Sequence, residues 1–219
     1  MAQPAAAQAY QCHVPQTVTV PQVTPDGPRR TSEIIGYTLA LSWSPAFCRL
    51  REDEPAHARQ CSGEAGRYGF VVHGLWPEGE RVWPQWCASS RPAPATAARN
   101  LCLTPSARLL ARQWAKHGSC MTKKPKTYYR ITRILWNSLR LPDADHLSKK
   151  RDLTAGLFRA RFAEANPGWP EAAVGVKLSR GGWLREVRLC YDKRFRPVRC
   201  RDRQYGAPDD TPMKIWRGM

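Results

Sequence analysis

Eight cysteines, at positions 12, 48, 61, 87, 102, 120, 190 and 200, constrain this chain more than any other feature. They are even in number and dispersed. No Cys-x-x-Cys pair occurs, so neither paired zinc ligands nor a thioredoxin-type redox pair can be read. Four disulfides in an oxidising compartment fit the pattern, and a periplasmic or secreted protein is expected. Buried free thiols in a cytosolic protein are the alternative. Eight cysteines allow on the order of a hundred pairings, so the sequence leaves the connectivity open. Residues 1–9 (MAQPAAAQA) have no basic start and no long apolar stretch, so they do not read as a complete signal peptide. Their small residues resemble the remnant of a cleavage site, which suggests a mature secreted chain with an added Met.

Charge is the second constraint. Thirty-five Lys and Arg against 18 Asp and Glu give a net charge of +17. Such a surface attracts polyanions: nucleic acid, anionic lipid or acidic glycan. A merely solubilising surface is the bland alternative. Nine Trp, seven Tyr and five Phe exclude a disordered chain, and no apolar run is long enough for a transmembrane helix. At 219 residues, without a Gly/Ser linker or internal repeat, one domain is expected. Residues 1–33 are rich in Pro and poor in large apolar residues other than Val, so they read as an extended N-terminal arm, pinned at Cys12. Residues 34–219 then form the domain proper.

Within it, GYTLALSW (36–43) alternates as a strand, and YGFVV (68–72) is a second strand ending at His73-Gly74. Residues 49–66 and 84–100 read as loops. Thr104-Pro105 starts a helix carrying Leu109, Leu110 and Trp114 on a buried stripe, and Gly118 closes it. A second helix is expected over about 127–140, with Tyr128, Ile131, Leu135 and Leu139 at helical spacing, and a third over 154–165. Val174, Val176 and Leu178, then Gly181-Gly182, then Val187, Leu189 and Tyr191 predict a hairpin with a two-residue turn. A further strand is expected near 195–200. The mixture predicts an α+β fold with a mostly antiparallel central sheet, packed helices and disulfide staples. Residues 123–161 carry eleven Lys or Arg against three Asp, and residues 177–203 ten against three acids, with aromatics interleaved. That composition suits a nucleic-acid groove, although aromatics inside helices and strands read as core.

Two of the five histidines sit in unusual company: His73-Gly74-Leu75-Trp76-Pro77 and Trp114-Ala115-Lys116-His117-Gly118-Ser119-Cys120. Two imidazoles and a lysine on a basic surface suit phosphodiester cleavage without a metal. A general base deprotonates an attacking hydroxyl, a general acid protonates the leaving oxygen, and a cation stabilises charge building on phosphorus. Histidine titrates near neutrality and can fill either role. If the attacking group is the ribose 2′-OH, only RNA can react.

These segments resemble the two signature motifs of the ribonuclease T2 family of secreted acid ribonucleases, bacterial ribonuclease I included. HGLWP (73–77) is similar to the first motif and WAKHGSC (114–120) to the core of the second. GYTLALSWSPAFC (36–48) is similar to the first core strand, and the likeness covers roughly residues 34–200. It implies a cyclising endoribonuclease of low base specificity. His117 would be the general base and His73 the general acid. Lys116 would stabilise the phosphorane, and Trp76 would shape the pocket and could stack a base, unless it is a core residue. The family's usual His-Glu before the second Trp is here Arg112-Gln113. Gln113, four residues before His117, would share its helical face without the charge, and Arg112 would add a cation for substrate four residues before Lys116. The resemblance implies the pairs Cys48–Cys61, Cys87–Cys120 and Cys190–Cys200, which leaves Cys12 and Cys102 to each other. RNA is the expected partner of a monomer, with no metal, cofactor or membrane involved. Three other readings are an RNA-binding homologue weakened by Arg112 and Gln113, a zinc site at His73 and His117 with nearby Cys, and a basic membrane-disrupting protein.

Overall fold

Alternation over GYTLALSW builds β1 (Gly36–Trp43), with Leu39 and Leu41 fully buried. In this computed structural model, which describes residues 10–218, β1 passes into α1 (Ser44–Cys48). There follow α2 (Ala58–Cys61), β2 (Phe70–Glu78), α3 (Pro94–Ala98) and α4 (Ala107–Gln113). A single π-helical turn (Trp114–Gly118) then leads into α5 (Ser119–Met121). The order continues with α6 (Pro125–Asn137), α7 (Ala144–Ser148), α8 (Ala155–Ala165), β3 (Val174–Leu178), β4 (Leu184–Asp192) and α9 (Asp202–Tyr205). The sheet runs β2-β1-β4-β3, antiparallel throughout. The fold is therefore α+β, as the sequence predicts. One apolar cluster joins sheet residues Leu39, Leu75, Val187 and Leu189 to helical Trp114, Tyr128, Phe158 and Phe162. Most aromatics of the two basic stretches, Tyr128, Tyr129, Trp136, Phe158 and Tyr191, are thus core residues, Trp183 and Phe195 are half-buried, and most of the charges between them face water.

Disulfides join Cys12–Cys102, Cys48–Cys61, Cys87–Cys120 and Cys190–Cys200, the four pairs set out above. The described residues of the Pro-rich N-terminal segment, 10–33, form no helix or strand. It buries Val18 and Val20 and makes bridges at Tyr10–Arg67 and Arg30–Gln85; residues 1–9 lie outside the described residues.

Several local expectations are corrected. The strand expected over 68–72 starts at Phe70 and continues to Glu78, because β1 offers partners along its whole length. The helix cap is Ser106, whose side chain accepts from the Leu109 N–H. Thr104 is instead buried and donates its hydroxyl to the Val72 carbonyl at 2.7 Å, fastening the loop to β2. Gly118 does not end the helix. Its φ is −63°, and a Cβ there would lie 2.7 Å from the Tyr128 ring, so close packing rather than a left-handed turn calls for glycine. The loop regions contain the short helices α2 and α3. The helix expected over 127–140 spans Pro125–Asn137, with Leu139 buried beyond its end. The hairpin connection is longer than two residues, with the Ser179 N–H bonded to the Trp183 carbonyl. Residues 195–200 form no strand: Pro197 cannot donate to a ladder, and the segment makes one bridge to Tyr191 before the Cys190–Cys200 disulfide.

Candidate active site

The first histidine owes its position to a β-bulge. Ala40 pairs with Gly74 and Leu41 with Val72, so His73 is the extra residue that β2 inserts opposite β1. A bulge re-aims a side chain relative to regular alternation. The His73 ring turns toward β4, with Nδ1 2.7 Å from Oε2 of Glu186. Arg188, two residues along the same face of β4, donates Nε–H to the other carboxylate oxygen of Glu186 at 2.8 Å. Burial pushes the Glu186 pKa up, but the hydrogen bond and charge of His73 and the Arg188 guanidinium outweigh it and hold the group below its usual range. His73 therefore rests on an ionised carboxylate, with Nε2 on the far side of the ring.

One indole joins the two histidine segments. The Trp76 ring meets His73 edge-on at 5.2 Å between centroids and His117 at 5.7 Å, tilted by 37°. Its Nε1–H donates to Oε1 of Gln113 at 2.7 Å, and the Arg188 guanidinium lies 5.3 Å from its ring. A Cβ on Gly74 would sit 2.1 Å from that Gln113 oxygen, so glycine is required for this approach. The Tyr128 hydroxyl both accepts from the Leu75 N–H and donates to the Leu75 carbonyl, each at 3.1 Å, locking the segment against α6.

The second histidine sits in the π-helical turn, a widened geometry often found at functional sites. The expected four-residue spacing from Gln113 to His117 therefore spans the start of an irregular helix, yet both side chains reach Trp76. His117 is 8% exposed, and its Nδ1 is buried without a partner. Burial first, then the charges of Lys116, His73 and Arg112, lower its pKa from 6.5 to about 3, against a small opposing effect of Asp26. It is a neutral imidazole over nearly the whole pH range.

Lys116 and Arg112 converge as their spacing suggests, but an internal anion holds them. Lys116 Nζ lies 3.0 and 3.2 Å from the two carboxylate oxygens of Asp26, and Arg112 donates to Oδ2. The Lys116 bond first, with Arg112, lowers the Asp26 pKa to about 2, outweighing the desolvation that works the other way. Trp86 donates its backbone N–H to the Lys116 carbonyl at 2.9 Å, and its ring lies 5.6 Å from Lys116 Nζ. The neighbouring Cys87–Cys120 bond ties this loop to α5.

The structure thus brings His73, Trp76, Gln113 and His117 together, with Arg112 and Lys116 beside them. It adds Glu186, Arg188, Trp86 and Asp26, which sequence reasoning did not single out. Alternation in β4 puts Glu186 and Arg188 opposite the buried Val187 and Leu189, but it does not reveal their partner. Among the described residues, no three His, Cys, Asp or Glu side chains gather as a metal-ligand set, and the zinc alternative has no thiolate, since every Cys is in a disulfide. No described helix is long and apolar enough to cross a membrane. Chemically, the site offers one neutral buried imidazole, one imidazole backed by a carboxylate, and a cation pair that binds an anion.

The sequence pattern of the Ribonuclease T2 family matches residues 36–150. A probable ribonuclease of Haemophilus influenzae is 31% identical over 179 residues, covering 76% of this chain and 61% of that protein, less than two thirds of its length. A ribonuclease of Aeromonas hydrophila is 31% identical over 163 residues, covering 72% of this chain and 71% of its own. In three dimensions the chain is similar to trichomaglin, described as an S-like ribonuclease, with a TM-score of 0.64, 21% identity and coverage of 77% and 92% of the two chains.

Proposed function

This chain belongs to the ribonuclease T2 family, and on that premise we propose that it is a metal-independent endoribonuclease that uses the 2′-OH of RNA as nucleophile. The placement of both imidazoles against one indole carries the reading. A phosphodiester seated over Trp76 has a base on one side and an acid on the other. His117, neutral, takes the 2′-OH proton through Nε2, the nitrogen left free by the buried Nδ1. The 2′-oxygen attacks phosphorus, and the bond to the 5′-oxygen breaks. Protonated His73 gives its Nε2 proton to that leaving oxygen, while Glu186 fixes the ring from behind. Lys116 and Arg112 stabilise the negative charge on the phosphorane. Water then opens the 2′,3′-cyclic phosphate to a 3′-phosphate with the two histidines exchanging roles.

Low base specificity belongs to the same reading, because stacking on an aromatic side chain tolerates any base. Four disulfides support action in the periplasm or outside the cell. One observation favours a second reading, a catalytically weakened RNA-binding homologue: Gln113 has no charge, and its oxygen is already bonded to Trp76. Losing a charged group of this kind costs roughly tenfold to a thousandfold in rate.

The deciding experiment incubates wild type, His73→Ala and His117→Ala with an RNA oligonucleotide in EDTA and reads product ends by mass spectrometry. Cyclic phosphate ends from wild type, lost in both folded variants, are expected. Full activity in either variant overturns the assignment. Salt-sensitive RNA binding without any product establishes the weakened homologue instead.

A further inference from the structure

We propose that Asp26 is a built-in mimic of the substrate phosphate, and that by occupying the cation pair it makes the enzyme select long RNA over short. The inference rests on the reading that Lys116 and Arg112 hold the scissile phosphate. Asp26 lies 86 residues before Arg112 and 90 before Lys116, on an arm that belongs to neither histidine segment. Yet its two oxygens face the lysine ammonium at 3.0 and 3.2 Å, and one also takes the arginine donor. Two negative oxygens presented to a cation pair reproduce what the non-bridging oxygens of a phosphodiester offer.

The carboxylate is held in place by its surroundings. Arg30 and Gln85 exchange backbone hydrogen bonds at 3.0 and 2.9 Å, and the buried Gln85 side chain donates to the Pro28 carbonyl at 2.8 Å. The next residue, Trp86, is bonded through its N–H to the Lys116 carbonyl. Asp26 and its target therefore share one frame, and Pro25 and Pro28 stiffen the segment that carries the acid. The Asp26 side chain is nevertheless 43% exposed, so it can swing away without opening the core. Acid does not release it, since the carboxylate remains ionised down to about pH 2.

A tethered competitor acts at an effective concentration in the millimolar range, roughly. A ligand with a single phosphate exchanges one anion for another and gains little. A polymer brings further phosphates to a surface of net charge +17, releases counterions there, and displaces the carboxylate. Dinucleotides and cyclic mononucleotides do not.

The test compares wild type with Asp26→Asn on a dinucleoside monophosphate, a 2′,3′-cyclic nucleotide and a long RNA, all at one ionic strength. In parallel, binding of inorganic phosphate is measured by calorimetry on His117→Ala with and without the change at Asp26. Asp26→Asn is expected to lower KM for the two short substrates about two- to fivefold, the range for a partly exposed ion pair. KM for long RNA should move less than twofold, kcat should hold, and phosphate should bind tighter by the same factor as the short substrates. An unchanged or higher KM for short substrates, or an equal fall for long RNA, overturns the proposal. If no protein cleaves any RNA, the proposed function fails by itself. Phosphate affinity then still decides whether Asp26 masks an anion site, and an affinity unmoved by the substitution rejects the masking.

Discussion

Acidification should cost this protein stability through one buried histidine. In the folded chain His117 takes up a proton only near pH 3, while in the unfolded chain it does so near 6.5. Between those values the unfolded state binds more protons, so stability rises with pH across the window and is lost as pH falls through it. Each unit corresponds to about 1.4 kcal/mol. At pH 4.5 the penalty from this group is therefore about 2.7 kcal/mol, and at pH 3 it is about 4.4 kcal/mol. Burial is the main cause, so the nearby Asp26, whose charge opposes it, does not remove the effect. The assay is urea unfolding of wild type and His117→Gln at pH 7 and pH 4.5. Other titrating groups, Asp26 and Glu186 included, are common to both proteins and cancel in the difference. Wild type should lose about 2–3 kcal/mol more than the variant on acidification. The same shift leaves the proposed base unprotonated in acid, so the rising limb of kcat/KM lies near pH 3 rather than 6.5. Equal losses in the two proteins, or a His117 NMR titration near 6.5, would refute the reasoning.

Gly74→Ala must displace Gln113 or Trp76, since the new methyl would sit 2.1 Å from the Gln113 oxygen. Overpacking of this kind costs about 1–3 kcal/mol, and calorimetry should show the fall in Tm together with a loss of kcat larger than that of Gln113→Ala. Glu186→Ala leaves His73 without its anchor. Steady-state kinetics should show kcat falling by about tenfold or more with little change in KM, and Glu186→Asp restoring part of it. Replacing Cys87 and Cys120 together by Ser unties the Trp86 loop from the segment of His117. Denaturant titration should register a loss of about 2–5 kcal/mol, with activity failing at lower denaturant than global structure does.

What the sequence revealed, and what it did not, follows from the range of the interactions. Alternation in 36–43 and at Val187, Leu189 and Tyr191 is a local signal, and the strands there and the helix expected over 154–165 fall where the pattern puts them. The two histidine motifs marked His73, Trp76, Lys116 and His117, and the structure sets both imidazoles against Trp76 while Lys116 turns to Asp26. The bulge that aims His73 was not legible, because it exists only against β1, whose register skips that residue. The π-helical turn carried no local mark either, and the glycine that ends it packs against Tyr128, a residue of another helix. Asp26 carried no local mark: one acid in a Pro-rich arm gains meaning only through two cations far along the chain. Glu186 was visible as a polar residue on an alternating strand, but its hydrogen bond to His73 crosses the sheet from β4 to β2.

The account turns on a hydroxyl of the substrate itself attacking phosphorus between the two imidazoles. A DNA oligonucleotide carrying a single ribonucleotide, treated with the enzyme and resolved by mass spectrometry, measures this directly. Cleavage only on the 3′ side of the ribonucleotide, leaving a cyclic phosphate there, is the expected result. Cleavage at deoxynucleotide positions, or persistence of cutting when that one 2′-OH is replaced by hydrogen, would contradict it.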